Sequence, residues 1–365
     1  MSIQKLGFIG LGLIGGSIAK TTKRIHPEIE MIARSGHTST VSKAFEEGLI
    51  KNSKNPSLSD FSDCDYIFLC TPVQQNLEYL RELKHIINPR CILTDVGSVK
   101  GDIHREIVSL DMERCFIGGH PMTGSEKTGL GHASPYLLEN AYYIITPTEI
   151  VPKERVEEFC SFISSLGAIP LTMGYGLHDK STAAISHLPH VLAYALVNLV
   201  KDSDNEAEIM KRIAAGGFKD ITRIASSSPV MWEEICISNR DMLLSMIDTY
   251  HIYLNNIRDK ISAGDGQGLR EFFQSAKDYR DSLALAPKGS PGAAYELYCD
   301  LADEAGGIAT ISTILARNQL SIKNIGIIHN REFEEGVLKI EMYDETSYSD
   351  AIKLLRKYNY TVYER

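Results

Sequence analysis

The stretch KLGFIGLGLIGGSIAK, residues 5–20, constrains the fold more than any other part of the chain. A strand-like LGFI runs straight into Gly10-x-Gly12-x-x-Gly15, and a helix-like run follows. In such a turn Gly10 permits the tight reversal, Gly12 lets main chain approach a diphosphate, and Gly15 lets the helix pack closely on the strand. The helix start then presents free N–H groups to the diphosphate. A bare glycine turn is the simpler reading of the motif alone, but the strand before it and the helix after it favour a dinucleotide site at Gly10, Gly12, Leu13, Ile14 and Gly15. Lys5 and the apolar residues 6–19 also imitate the core of a signal peptide, yet five glycines and a length too short to span a bilayer argue against that reading.

The following segments alternate. Strand-like runs EIEMIA, DYIFLCTP, CILTDVG, CFIGG, AYYIITP and AIPLTM are separated by helix-length stretches. This pattern predicts an α/β Rossmann domain over residues 1–174, with a parallel sheet covered by helices on both faces. Thr71, at the end of the third strand, joins the candidate cofactor residues. The second strand ends Ala33-Arg34-Ser35, where an acid normally meets the adenosine ribose. Arg34 and Ser35 suit a 2'-phosphate instead, because guanidinium grips phosphate through a charge-assisted fork. The expected cofactor is therefore NAD(P)+, leaning to NADP+; the plainer alternative lays Arg34 over the adenine or in solvent.

From residue 175 to 285 strand signals give way to helix-period apolar residues, as in HLPHVLAYALVNLV and MLLSMIDTYHIYLNNI. The first is apolar nearly all round, which predicts burial between subunits or at the centre of a helical domain. Two polar clusters interrupt it: His187 and His190 in SHLPH, and Lys219, Asp220 and Arg223 in GGFKDITRIA. On a helix Asp220 and Arg223 share a face, where the carboxylate can orient the guanidinium as a clamp for a substrate carboxylate. An ordinary surface ion pair has the same spacing.

Residues 118–129 read GGHPMTGSEKTG, with His120, Ser125, Glu126 and Lys127 in one turn-rich segment. Taken alone, a polar connection is the simpler reading and a catalytic loop the alternative. Composition narrows the classes. A net charge of -9 without a basic stripe argues against nucleic-acid and anionic-membrane partners. Seven cysteines with no C-x-x-C pair read as reduced core thiols of a cytoplasmic protein, with no metal site.

Taken in order, GxGLxGGS, DVGSVKG at 95–101, GGHPMTGSEKTG, SHLPH, and GGFKDITRIA followed by MWEEI resemble the prephenate dehydrogenase family, which includes arogenate dehydrogenases. The resemblance covers residues 1–285. It implies that His120 is the catalytic histidine, Ser98 the hydroxyl at the reacting centre and Arg223 the substrate-carboxylate anchor. Asp220 and His190 would support that anchor, while Glu126, with Ser125 beside it, would line or gate the pocket. The implied reaction is NAD(P)-linked oxidative decarboxylation of prephenate to 4-hydroxyphenylpyruvate on the route to tyrosine, by a homodimer. No carboxylate pair in these motifs is reserved for an ammonium, which favours prephenate over arogenate.

ALAPKGSPGAA, residues 284–294, reads as a linker centred on 286–292. Beyond it, residues 293–365 predict strand-helix-strand-strand-helix-strand, a small α+β ferredoxin-like unit. The unit resembles an ACT domain, which implies an amino-acid effector, L-tyrosine, held near Asp303, Gly306, Gly307 and Asn324. The usual proline before the glycine is absent, and a purely structural module is the alternative. Two rival readings of the whole chain are a β-hydroxyacid dehydrogenase and a nucleotide-binding redox sensor. The first needs Lys-x-x-x-Asn on the first interdomain helix, but Lys180 is followed by Ala184. The second predicts that His120 is dispensable.

Overall fold

A computed structural model of the chain describes residues 3–124, 127–285, 295–301, 306–328 and 336–364. They form two compact units, Met1–Lys277 and Asp278–Arg365. The first unit opens with β1 (Lys5–Ile9), α1 (Leu13–Ile25), β2 (Glu30–Arg34), α2 (Thr38–Glu46), β3 (Tyr66–Leu69), α3 (Val73–Leu83), β4 (Ile92–Asp95) and α4 (Gly101–Ser109). β5 (Ile117–Pro121), β6 (Tyr142–Pro147), α5 (Lys153–Ser165) and β7 (Ile169–Thr172) complete the αβ part.

The first four strands are parallel in the order β2-β1-β3-β4, as the alternation predicts. Successive residues face opposite sides. Leu6, Phe8, Tyr66 and Phe68 join Ile18 and Ala19 of α1 and Phe159 and Phe162 of α5 in one core. Ile9, Ile67, Leu69 and Leu93 join Leu80 and Leu83 of α3 and Ile103 and Ile107 of α4 in the other. Burial on both faces is why these strands read as nearly continuous apolar runs.

One expectation needs correcting, since the sheet is not parallel throughout. A single parallel bridge, Leu93 to Phe116, leads to β5, but β6 runs antiparallel to β5 while β7 runs parallel to β6. A parallel pairing needs a crossover, usually a helix. Between β5 and β6 the described residues supply only a 3₁₀ turn, Leu130–His132.

The helical part follows as α6 (Tyr175–Thr182), a π turn (Ala183–His187), α7 (Leu188–Ser203), α8 (Ile209–Ile213) and α9 (Gly216–Thr222). A 3₁₀ turn (Arg223–Ser226), α10 (Pro229–Ser238), α11 (Arg240–Ala263) and α12 (Gly266–Leu285) finish it. Only Leu188 and Ala193 of α7 are buried within the chain, so the apolar surface of this helix is not covered by its own fold.

The second unit contains β8 (Glu296–Leu301), α13 (Gly307–Arg317), β9 (Ile322–Ile328), β10 (Gly336–Met342), α14 (Glu345–Lys357) and β11 (Val362–Glu364). Its sheet is antiparallel in the order β11-β8-β10-β9, the expected ferredoxin-like arrangement. Leu297, Cys299, Leu338 and Ile340 form one sheet face, against Ile311 and Leu315 of α13 and Ile352 and Leu355 of α14. Residues 286–294, which carry the expected linker, lie outside the described residues.

Candidate functional site

The glycine loop has the geometry its sequence demands. Gly10 has φ +102 and donates its N–H to the Arg34 carbonyl at 2.8 Å, tying the loop to the end of β2. A Cβ there would sit 2.7 Å from the Cys70 carbonyl, and a Cβ at Gly15 would collide with the Gly10 carbonyl oxygen. Gly12 differs: nothing lies within 4 Å of a Cβ placed on it. It caps α1, whose first turn carries no acidic residue and no capping side chain. Open space beside uncapped N–H groups is what a diphosphate requires, so Gly10, Gly12, Leu13, Ile14 and Gly15 fit a dinucleotide. Thr71 follows β3, its hydroxyl bonded to the buried Asn76.

The glycine pair before His120 has a packing cause. A Cβ on Gly119 would lie 2.6 Å from the Asp95 carbonyl and 2.8 Å from the Tyr143 ring, so only glycine lets β5 approach β4 this closely. His120 thereby meets α6. Its Nδ1 lies 2.8 Å from His178 Nε2, and His178 Nδ1 lies 2.7 Å from Asp179 Oδ1. The carboxylate accepts from His178 Nδ1–H, which leaves His178 Nε2 to accept from His120 Nδ1–H. The basic lone pair of neutral His120 is then on Nε2. Burial above all holds the His120 ring well below the ordinary histidine range, and repulsion from His178, Lys100 and His187 whenever they are protonated adds to the lowering.

Asp179 is anchored from behind by main chain. It accepts from Lys100 N–H at 2.8 Å and Gly101 N–H at 2.7 Å. Burial works to raise its carboxyl, but the bond from His178 and these two N–H groups outweigh it, and the carboxyl lies below its usual range. The Lys100 side chain, fully buried, turns the other way. Its Nζ pairs with Asp95 and donates to the Gly119 carbonyl at 2.8 Å, while Gly119 N–H donates to Asp95 at 3.3 Å. Burial lowers the Lys100 ammonium, against the pull of Asp95. One residue thus links the strand that carries His120 to the helix that orients it.

The π turn places the remaining histidines. His178 and His187 are nine positions apart; on an unbroken α-helix, steps of about 100° would put them on nearly opposite sides. One extra residue in the turn swings His187 back by roughly 100°. His187, 1% exposed, accepts from Asn239 Nδ2 at 3.0 Å, and the same amide nitrogen donates to the Asp179 carbonyl at 2.8 Å. Among the described residues, the buried His187 Nε2 and Trp232 Nε1 have no hydrogen-bond partner. The partly buried His190 stacks on Trp232 with ring centroids 3.7 Å apart and bonds through Nδ1 to the Ser186 carbonyl at 2.9 Å. Burial lowers His190, the Ser186 bond opposes this, and the nearby Arg223 charge adds to the lowering.

Ser98 sits in the bend after β4, next to Val99, which packs against Trp232 and Ile235. The structure therefore brings the Ser98 bend, His190 and Arg223 to the Trp232 side of the helical part, and joins His120 to it through His178. Arg223 and Asp220 are exposed; α9 ends at Thr222, and Arg223 opens the 3₁₀ turn instead of continuing the helix. Ser125 and Glu126 lie outside the described residues, as does Asp303. Gly306 (φ +98) and Gly307 open α13, and Asn324 is exposed on β9 opposite Glu341. Sequence reading passed over His178, Asp179, Lys100, Asp95, Asn239 and Trp232. The signal available was His-Asp side by side ahead of an apolar helix, and the lysine of DVGSVKG inside an otherwise apolar neighbourhood.

Comparison with known proteins extends these observations. Residues 18–170 match the family model "Prephenate dehydrogenase, nucleotide-binding domain", and residues 176–275 match "Prephenate dehydrogenase, dimerization domain". The chain is 40% identical over 339 residues to prephenate dehydrogenase of Bacillus subtilis (strain 168), covering 92% of this chain and 91% of the relative. It is 34% identical over 359 residues to that of Lactococcus lactis subsp. cremoris (strain MG1363), covering 97% and 98%. Among solved structures, prephenate dehydrogenase from A. aeolicus in complex with hydroxyphenyl propionate and NAD+ superposes with a TM-score of 0.73 at 30% identity, covering 78% of this chain and 99% of that one.

Proposed function

The chain belongs to the prephenate dehydrogenase family, and from that premise we propose that it converts prephenate to 4-hydroxyphenylpyruvate with NAD(P)+ as hydride acceptor. The observation that carries this reading is the line Asp179–His178–His120, which leaves a neutral imidazole nitrogen as a base on the β5 strand. His120 Nε2 takes the proton of the ring hydroxyl as the C–H pair departs. Cleavage of the ring–carboxylate bond then delivers its electrons into the ring, carbon dioxide leaves, and the phenolic oxygen recovers the proton from His120. The dinucleotide, when bound, supplies the nicotinamide that accepts the hydride.

Ser98 serves as the hydroxyl partner of the reacting oxygen, and Arg223 anchors the side-chain carboxylate, with His190 and Asp220 supporting it. Ser125 and Glu126 are the further substrate-binding candidates of the GGHPMTGSEKTG motif. A histidine held below its ordinary range stays unprotonated at neutral pH, as a general base must.

The uncovered apolar side chains of the helical part, among them Leu199, Ile213, Ile237 and Ile252, each more than 60% exposed, support a homodimer built on these helices. Tyr175–Ser203 is long and apolar enough to cross a bilayer by length and composition alone. The π turn and the buried His178, Asp179 and His187 within it favour a subunit contact, in a cytoplasmic enzyme. The ferredoxin-like unit is read as a sensor of L-tyrosine, with Asp303, Gly306, Gly307 and Asn324 as the candidate contacts.

The test is the initial rate of nicotinamide reduction with prephenate or arogenate, each with NAD+ or NADP+. Turnover with prephenate supports the reading, and turnover with arogenate alone transfers it to the amino substrate. No turnover in any combination removes it. Titration with L-tyrosine that gives neither heat nor inhibition would leave the C-terminal unit a structural module.

A further inference from the structure

The segment NSKNP, residues 52–56, is bound along the end of β2 in place of a neighbouring strand. Asn52 Oδ1 accepts from Ala33 N–H at 2.9 Å while its Nδ2 donates to the Ala33 carbonyl at 2.8 Å. Asn55 repeats the pairing two residues on, accepting from Ser35 N–H at 2.9 Å and donating to the Ser35 carbonyl at 2.8 Å. Two side-chain amides thus satisfy the groups that an edge strand leaves open. Arg34, between them, has its carbonyl taken by Gly10 N–H at 2.8 Å and donates from Nη1 to the Pro56 carbonyl at 2.8 Å.

The corner so fixed has an electrostatic character. Arg34 is partly buried, and among the described residues the Pro56 carbonyl is the one group that takes a hydrogen bond from it. The rest of the guanidinium fork is uncommitted, and a carbonyl does not neutralise its charge. α2 begins four residues later, with no capping side chain and no acid in its first turn. A held, uncompensated cation followed by a bare helix start favours a phosphate over a ribose diol, which would want an acceptor carboxylate.

We propose that Asn52 and Asn55 are specificity-determining positioning residues, which clamp Ala33–Ser35 so that Arg34 and Ser35 receive the 2'-phosphate of NADP+. The proposal rests on the reading that the glycine loop holds a dinucleotide. Sequence spacing alone does not carry it, because the asparagines lie about twenty residues from the strand they hold.

The experiment is isothermal titration of the full chain, without substrate, with NADP+ and separately with NAD+. NADP+ is expected to bind roughly ten- to a hundredfold more tightly, the worth of a charge-assisted contact. Asn55→Ala should bring the two affinities close to parity by weakening NADP+ alone, and Arg34→Gln should do the same. In the Arg34→Gln background, Asn55→Ala should change the ratio much less, through Ser35 alone. A thermal melt checks that each variant is folded, and Asn55→Ser carries the comparison if Asn55→Ala is not. NAD+ binding as tightly as NADP+, or a folded Asn55 variant that keeps the full margin, overturns the proposal while the dinucleotide site stands. Binding of neither dinucleotide overturns both.

Discussion

His178 Nε2 lies 2.8 Å from His120 Nδ1, although the two residues belong to different parts of the first unit and are separated by 58 positions. The contact decides which nitrogen of His120 is basic, because Asp179 fixes the tautomer of His178 and His178 fixes that of His120. The same logic orients the histidine of a Ser-His-Asp triad, here with a second imidazole inserted between carboxylate and base.

Replacing His120 tests its proposed role as the base directly. His120→Asn is expected to lower kcat by roughly 10²- to 10⁴-fold with the Michaelis constant for prephenate little changed, since only proton transfer is lost. In the unaltered enzyme the acid limb of kcat/KM should fall below about pH 6.5, the ordinary histidine value. Near-native turnover by the variant would return GGHPMTGSEKTG to a polar connection.

Asp179→Asn keeps the volume and removes the charge that selects the tautomer. Steady-state kinetics should give a kcat loss on the order of 10²-fold or more, without a matching rise in the Michaelis constant. A variant with unchanged kcat would mean that His120 is oriented by other groups.

Arg223→Ala separates binding from chemistry. The expected effect is a raised Michaelis constant for prephenate, a loss of about 1.5–3 kcal/mol for a charged hydrogen bond. An unaltered constant would exclude Arg223 from the substrate site.

Stability should depend on pH through the buried histidines. Burial lowers His104 and His187 to about 4, and His120 also lies well below its ordinary range. Between the unfolded value of about 6.5 and the folded values, the unfolded chain binds protons that the native one refuses. Stability is therefore complete above pH 6.5 and falls as pH drops towards 4, by up to about 1.4 kcal/mol per pH unit for each such histidine. Below that, Asp179, whose carboxyl is also lowered, extends the loss in the same direction. Denaturant midpoints at pH 7.5, 6 and 5 check this, and a flat series would contradict it.

The glycine loop, the strands of the αβ part and the ferredoxin-like order were legible because each is encoded within a short window by glycine placement or apolar periodicity. His120 stands out as a candidate through its motif. His178 and Asp179 were not, since LHDK looks like any helix start until β5 is packed beside it. Lys100 reads as a surface residue, yet Asp95 and the Gly119 carbonyl bury it completely. The direction of β6 was hidden because strand runs carry no arrow. Only the missing crossover helix reveals it.

The π turn at Ala183–His187 makes regularity and function compete. Regular α geometry through these residues, with none removed, would let α6 and α7 run on as a single ideal helix with better hydrogen bonding. It would also swing everything downstream by about 100° relative to His178, carrying His187 away from Asn239 and His190 away from Trp232. Over this segment turn geometry sets rotation, and the chain keeps an imperfect turn to hold its bearing.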